Sequence, residues 1–391
     1  MTKKLHGLKT LLLCLSLCII YNDILAQKQF AVTIELPQQL DIKKLRLSYD
    51  NGKGEINIKN PVVKNNVIFV SQPYYAKYAA IILRYPEPNS EFSNYYRYFF
   101  VADQPAIITL YKYDSTQSPF DNYQLSNALD FKSEQERMHQ YDSLERKELD
   151  DYTVLFNEGK TGAANDSIAG QILSQKIINW NKRDLEFVRK NPNSYYSFWF
   201  FRKWLIQSAA ATSGSLLTTF NTTFPDTFRN GEEGATIKKF LQGRIGVHKN
   251  SPAPDFTSKD SSGKIIALKD YLGKKDVLLV FWATWCVPCM QEVPAIKEIH
   301  DQYPPEKLEI ISVAFPSDYA TFSKVIKEKD MNWINIYNDL DVINSYGGYQ
   351  GIPRVYLIDR SGKIVYERNE DDPGDLQLTK LKKVLKSNTL N

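Results

Sequence analysis

Val277-Leu278-Leu279-Val280-Phe281-Trp282-Ala283-Thr284-Trp285-Cys286-Val287-Pro288-Cys289 is the stretch that decides the fold of the C-terminal third of the chain. Val277 to Phe281 is a short uninterrupted apolar run, the pattern of a buried strand. From Val287 to Tyr303 the apolar residues return at helical spacing. Cys286 therefore stands where a strand gives way to a helix. The first N–H groups of a helix lack intrahelical partners and carry about half a positive charge. Such a position favours thiolate over thiol and lowers a cysteine pKa from ~8.5 into the range of roughly 3.5–7.5. Pro288 falls in the first turn, where a missing N–H costs little and the fixed φ keeps the turn rigid. Cys286, at the tip of the helix, reads as an exposed nucleophile. Cys289, one turn further in, reads as the resolving thiol that breaks a mixed disulfide.

The chain has four cysteines, and Cys14 and Cys18 lie in its N-terminal leader. The mature chain thus keeps one Cys-x-x-Cys pair and no competing thiol. Exported proteins with structural disulfides spread their cysteines along the chain, so a lone close pair reads as a redox couple. Zinc would need two further ligands, and His139, His248 and His300 have no ligand spacing to the pair. No metal and no cofactor are expected.

The leader sets the compartment. Lys3, Lys4 and Lys9 form a positive n-region, Leu11 to Tyr21 is apolar apart from Ser16 and two cysteines, and Ile24-Leu25-Ala26 offers a small residue for cleavage. The apolar run is shorter than the ~20 residues of a bilayer-spanning helix, so residues 1–26 read as a secretory signal peptide. The expected location is the periplasm or cell envelope. Membrane attachment would come only through an uncleaved signal anchor or lipidation at Cys18, where Leu17 is bulkier than the residue expected before a lipidated cysteine. Losing Lys3, Lys4, Lys9 and Asp23 takes the formal charge from +4 to +2, which is no polyanion-binding signature, and nucleic acid is not an expected partner.

At 391 residues, with 43% hydrophobic, 13% aromatic and 24% charged residues, the chain suits two or three folded domains. Over residues 27–115, apolar and polar residues alternate in short runs such as Phe30-Ala31-Val32-Thr33-Ile34 and Ala79-Ala80-Ile81-Ile82-Leu83, and Asn51-Gly52 marks a hairpin. A small β-sandwich or barrel is expected there. Residues 120–245 show helical spacing, with Ser194 as N-cap of an aromatic helix through Leu205 and a loop from Asn221 to Gly234. The Trp199, Phe200, Phe201 and Trp204 cluster reads as core between helices, with a partner surface as the alternative. From about 250 to 391, strands alternate with helices, which implies an α/β sheet covered on both faces. Asp359-Arg360-Ser361-Gly362-Lys363 is a hairpin turn, so that sheet is mixed.

Three separated motifs, Ala253-Pro254-Asp255-Phe256, Phe281 through Cys289, and Gly351-Ile352-Pro353, resemble thioredoxin-like proteins of the TlpA/ResA type within the AhpC/TSA-like family, over roughly residues 250–385. The resemblance implies a thioredoxin fold in which Pro353 is a cis-proline facing the Cys286–Cys289 disulfide. It also implies that Ile352 offers backbone groups to an extended substrate strand, with Trp285 as a further substrate contact. Pro294 matches the family's bent active-site helix. Thioredoxin itself carries a buried acid in the strand before the motif, where this chain has Val280. Glu292, three residues after Cys289 on the same helix face, stands where ResA-like proteins place a functional glutamate. Two readings of it stay open: a partly buried carboxylate that accepts the Cys289 proton, or an exposed first-turn residue favoured by the helix dipole. Phe99-Phe100-Val101-Ala102-Asp103 and Asn191-Pro192-Asn193-Ser194 resemble an uncharacterised region often fused N-terminally to such domains.

The expected activity is thiol-disulfide exchange with envelope proteins, with an upstream dithiol donor and with cytochrome c maturation as the setting the resemblance suggests. Val287 and Pro288 tune the redox poise and supply no His or Lys beside Cys286, so a potential nearer the ~−270 mV of thioredoxin than the ~−120 mV of DsbA is expected. A thiol peroxidase is one rival. Such enzymes carry Pro and Thr ahead of the reactive cysteine, where this chain has Leu279 and Ala283. An envelope binding protein, its main role carried by the N-terminal region, is the other.

Overall fold

The computed structural model describes residues 28–388 except 60, 89–93, 115–116, 316–317 and 349–350. The leader, with Cys14, Cys18 and the cleavage and lipidation readings, lies outside the described residues. The chain divides into two compact units at Asp130/Phe131.

Among the described residues the first unit has ten strands: β1 (Lys28–Glu35), β2 (Arg46–Asp50), β3 (Glu55–Asn57), β4 (Val62–Lys64), β5 (Val67–Tyr74), β6 (Ala79–Pro86), β7 (Asn94–Val101), β8 (Ala106–Leu110), β9 (Tyr123–Ser126) and β10 (Ala128–Leu129). They form two five-stranded sheets, ordered β4-β5-β1-β8-β9 and β10-β7-β6-β2-β3. Period-two burial sends Phe30, Val32 and Ile34 of one sheet into the same core as Tyr49, Ile81, Leu83 and Phe99 of the other. Two sheets sharing one core make this a sandwich and remove the barrel alternative. The Asn51-Gly52 signal falls in the turn between the paired strands β2 and β3. Gly52 adopts φ +97°, and a Cβ there would lie 2.8 Å from that of Ala76.

The second unit begins with helices α1 (Lys132–Tyr141), α2 (Ser143–Asn157), α3 (Asp166–Lys190), α4 (Tyr195–Lys203), α5 (Ser213–Thr223), α6 (Asp226–Arg229) and α7 (Glu232–Gly246). Ser194 caps α4 by accepting from the Ser197 N–H, a contact of the kind that contributes about 1 kcal/mol. Trp199 and Phe201 are buried and only Trp204 of the aromatic cluster is exposed, so the cluster is core. The expected loop from Asn221 to Gly234 is instead mostly helix. Pro225 and Gly231 occupy the N-cap positions of α6 and α7, so these two apparent breakers start helices, and Glu232 and Glu233 complement the dipole of the second.

The α/β part follows: β11 (Thr257–Lys259), β12 (Ile265–Ala267), β13 (Asp276–Trp282), α8 (Val287–Gln302), β14 (Leu308–Ala314), α9 (Tyr319–Glu328), β15 (Ile334–Tyr337), α10 (Leu340–Ser345), β16 (Arg354–Ile358), β17 (Ile364–Glu367), α11 (Arg368–Asp371) and α12 (Thr379–Asn388). The five-stranded sheet has order β15-β14-β13-β16-β17. β13, β14 and β15 are parallel, while β16 and β17 run antiparallel through the Asp359–Lys363 turn, as the hairpin signal implied. Central β13 is buried on both faces, which is why it reads as an unbroken apolar run. Val277, Leu279 and Phe281 pack with Phe322, Ile343 and Tyr346 on one side. Leu278 and Val280 pack with Ile296, Ile299, Leu381 and Leu385 on the other. This is the thioredoxin-type arrangement, and it delivers the C-terminal end of β13 straight to the cysteines. α7 lies against α10, and Gly243 permits it: a Cβ there would sit 2.4 Å from the Ser345 carbonyl oxygen.

Candidate active site

Cys286 is the N-cap of α8, and its sulfur accepts the Cys289 N–H at 3.2 Å. The two cysteines form a disulfide with Cα atoms 5.2 Å apart. Pro288 lies in the first turn of the helix and Pro294 lies inside it. Cys286 and Cys289 are 5% and 2% exposed, so the expectation of an exposed Cys286 is corrected. What stands out to solvent is the pair of flanking side chains, Trp285 at 61% and Val287 at 66%.

The loop before β16 covers the cysteine. Gly351 adopts φ +80°, the Ile352–Pro353 peptide is cis, and the Ile352 carbonyl oxygen lies 3.6 Å from Cys286 Sγ. Trp285, Cys286, Val287, Pro288, Gly351 and Ile352 line an apolar groove of about 460 Å³. The structure thus brings five of the sequence-derived site residues, Trp285, Cys286, Val287, Pro288 and Ile352, to one groove, with Gly351 beside them; Pro353 follows Ile352 in the chain and Cys289 is buried.

Glu292 does not line the groove. It is fully buried, which removes the exposed first-turn reading. Oε1 accepts a hydrogen bond from Arg368 Nε at 2.5 Å, while Oε2 has no hydrogen-bond partner among the described residues. Burial pushes the Glu292 carboxyl above the usual carboxylate range, Arg368 pulls it back, and the negative charges of Asp372 and Asp375 push it up. Arg368, 76 positions away in sequence at the start of α11, was not singled out from the sequence. The only signal for it was a cation directly after an apolar strand ending in Glu367. Val280 fills the position of thioredoxin's buried acid as an apolar residue against α8. Leu279 and Ala283, where a peroxidase carries Pro and Thr, are fully buried and give Cys286 no polar side chain.

Chemically, this arrangement can stabilise a thiolate at a helix N-terminus, close a reversible disulfide within one turn, and present an apolar groove with a backbone carbonyl beside the sulfur. Among the described residues no group of three His, Cys, Asp or Glu side chains could hold a metal ion.

The family described as Redoxin matches residues 248–385. The thioredoxin-like protein YneN of Bacillus subtilis is 37% identical over 122 residues, which cover 31% of this chain and 71% of that protein. The thiol-disulfide oxidoreductase ResA of Bacillus thuringiensis subsp. konkukian is 35% identical over 116 residues, 29% of this chain and 66% of the relative's length. A crystal structure of the thioredoxin domain of a thiol-disulfide oxidoreductase from Bacteroides vulgatus is 27% identical, aligning with 36% of this chain and 99% of that one at a TM-score of 0.32.

Proposed function

Because the chain belongs, through its C-terminal domain, to the redoxin-domain thiol-disulfide oxidoreductases of the ResA type, we propose that it reduces disulfides of envelope proteins through the Cys286–Cys289 pair. The observation that carries this reading is the Cys286–Cys289 pair closed at the N-terminus of α8, with Cys286 lining an apolar groove shared with Gly351 and Ile352. The Cys286 thiolate attacks one sulfur of the substrate disulfide, forming a mixed disulfide and releasing the first substrate thiolate. Cys289 passes its proton to Glu292 and attacks Cys286 Sγ. The Cys286–Cys289 bond forms, the bond to substrate breaks, and the substrate leaves with two electrons as a dithiol. A dithiol donor upstream then restores the reduced pair. Trp285, Val287 and Ile352 give the substrate strand an apolar seat, and the Ile352 carbonyl is available to a substrate N–H. An apocytochrome in cytochrome c maturation is one substrate class that fits.

Export rests on the leader sequence, and cell fractionation with N-terminal sequencing tests it: a mature chain starting near Gln27 in the envelope fraction is expected, and a full-length cytoplasmic chain contradicts it. The activity is tested by the reduction of a disulfide-bonded peptide under a chemical dithiol. Wild type turns over, Cys286→Ser does not, and equal rates for the two would overturn the reading.

A further inference from the structure

Glu292 and Arg368 are both buried, at 0% and 8% side-chain exposure, and they meet through a single contact from Nε to Oε1. Arg–carboxylate pairs are frequently bidentate, with both oxygens engaged. Here Oε2 is left without a hydrogen-bond partner among the described residues. Glu292 lies three residues after Cys289, so the two side chains share a helix face one turn apart. The neighbouring groups are committed elsewhere. Asp371 pairs with Lys249 and Lys380 at 2.6 Å each, and Asp372 accepts from the Tyr366 hydroxyl at 2.8 Å and from the N–H groups of Lys380 and Leu381. Of the described groups that act most on the Glu292 carboxylate, Asp372 and Asp375 oppose its charge, as burial does, and Arg368 favours it.

We propose that Arg368 is a positioning residue for the thiol chemistry: it holds Glu292 ionised and fixed through Oε1, so that Oε2 is free to take the Cys289 proton as the mixed disulfide is resolved. This rests on Glu292 acting as the base in the function proposed above. The proton moves from Cys289 Sγ to Oε2, the Cys289–Cys286 bond forms, and the substrate thiolate departs. Arg368 itself exchanges neither protons nor electrons.

The test uses the reduced full chain and a chromogenic aromatic disulfide, which releases one coloured thiolate when Cys286 attacks and a second when Cys289 resolves. Arg368→Gln is expected to leave the first phase unchanged. It should move the pH midpoint of the second up by about one unit, which slows that phase about tenfold at pH values below the wild-type midpoint and less at neutral pH. Arg368→Lys should restore part of the shift, and Glu292→Gln/Arg368→Gln should behave as Glu292→Gln alone. A purely structural pair would change stability and leave the midpoint in place. A wild-type second phase in Arg368→Gln, with Glu292→Gln altered, overturns the role of Arg368 and spares the proposed function. A wild-type second phase in Glu292→Gln sinks the base itself. If Arg368→Gln does not fold, difference infrared spectra of wild type against Glu292→Gln decide: a carboxylate band lost at neutral pH is expected, and a protonated-carboxyl band lost instead overturns the proposal.

Discussion

Cys286 and Cys289 make different contacts, and the difference predicts different failures. Cys286 Sγ accepts an N–H of the helix start and borders the groove, while Cys289 is sealed beneath it. Cys289→Ser should therefore still attack a substrate disulfide and stall as a mixed disulfide on Cys286, visible as a covalent adduct in non-reducing electrophoresis; an adduct-free Cys289→Ser variant contradicts the assignment. Glu292→Gln should slow resolution about a hundredfold, the usual scale for removing a general base. The cysteine pair was legible because its spacing and solitude are properties of the sequence alone. The burial of Cys286 was not, because the loop that covers it arrives from residues 351–353, far along the chain. Arg368 was hidden for the same reason: its partner Glu292 lies 76 positions away in sequence, and no local pattern encodes their meeting.

At the scale of elements, the run from Val277 to Phe281 and the helical spacing after Cys286 foretold β13 and α8, since burial on both faces and a 3.6-residue period leave direct marks on sequence. β15 and α10 carried no such mark, being four and six residues long. The breakers Pro225 and Gly231 misled because the same residues that end helices also begin them. Phe281 packs at the centre of the sheet against Phe315, Tyr346 and Tyr356. Phe281→Ala should cost about 3–5 kcal/mol in a denaturant titration, the usual price for removing a buried aromatic ring. A helix N-terminus favours a thiolate, so the start of α8 is where the redox poise is expected to be tuned. Val287→His would place a protonatable ring beside the Cys286 thiolate, stabilising the reduced form, and should raise the potential by about 30 mV or more. An unchanged potential would mean that the dipeptide between the cysteines does not tune it.

At the scale of the molecule, the redox domain occupies only the last third of the chain, and the helices that precede it carry a pH liability of their own. Asp184 on α3 is fully buried beside Asp142, which is engaged by Arg146 and Trp180, and burial and the Asp142 carboxylate push Asp184 well above the usual carboxylate range. The folded chain thus keeps a proton that the unfolded chain gives up near pH ~4. The destabilising effect is absent below that pH, grows as pH rises, and is complete once pH passes the raised folded value. Wild type should melt lower at alkaline than at mildly acidic pH, and Asp184→Asn should remove most of that difference; parallel curves for the two contradict the account. The central claim concerns the cysteine pair, and one measurement meets it most directly: the reduction potential of Cys286–Cys289 in the full-length mature chain, by equilibration with dithiol buffers and trapping of free thiols. A reversible two-electron couple at or below about −250 mV is predicted, while a value near about −120 mV would make the protein an oxidant; failure to form the intramolecular disulfide at any potential would contradict the account outright.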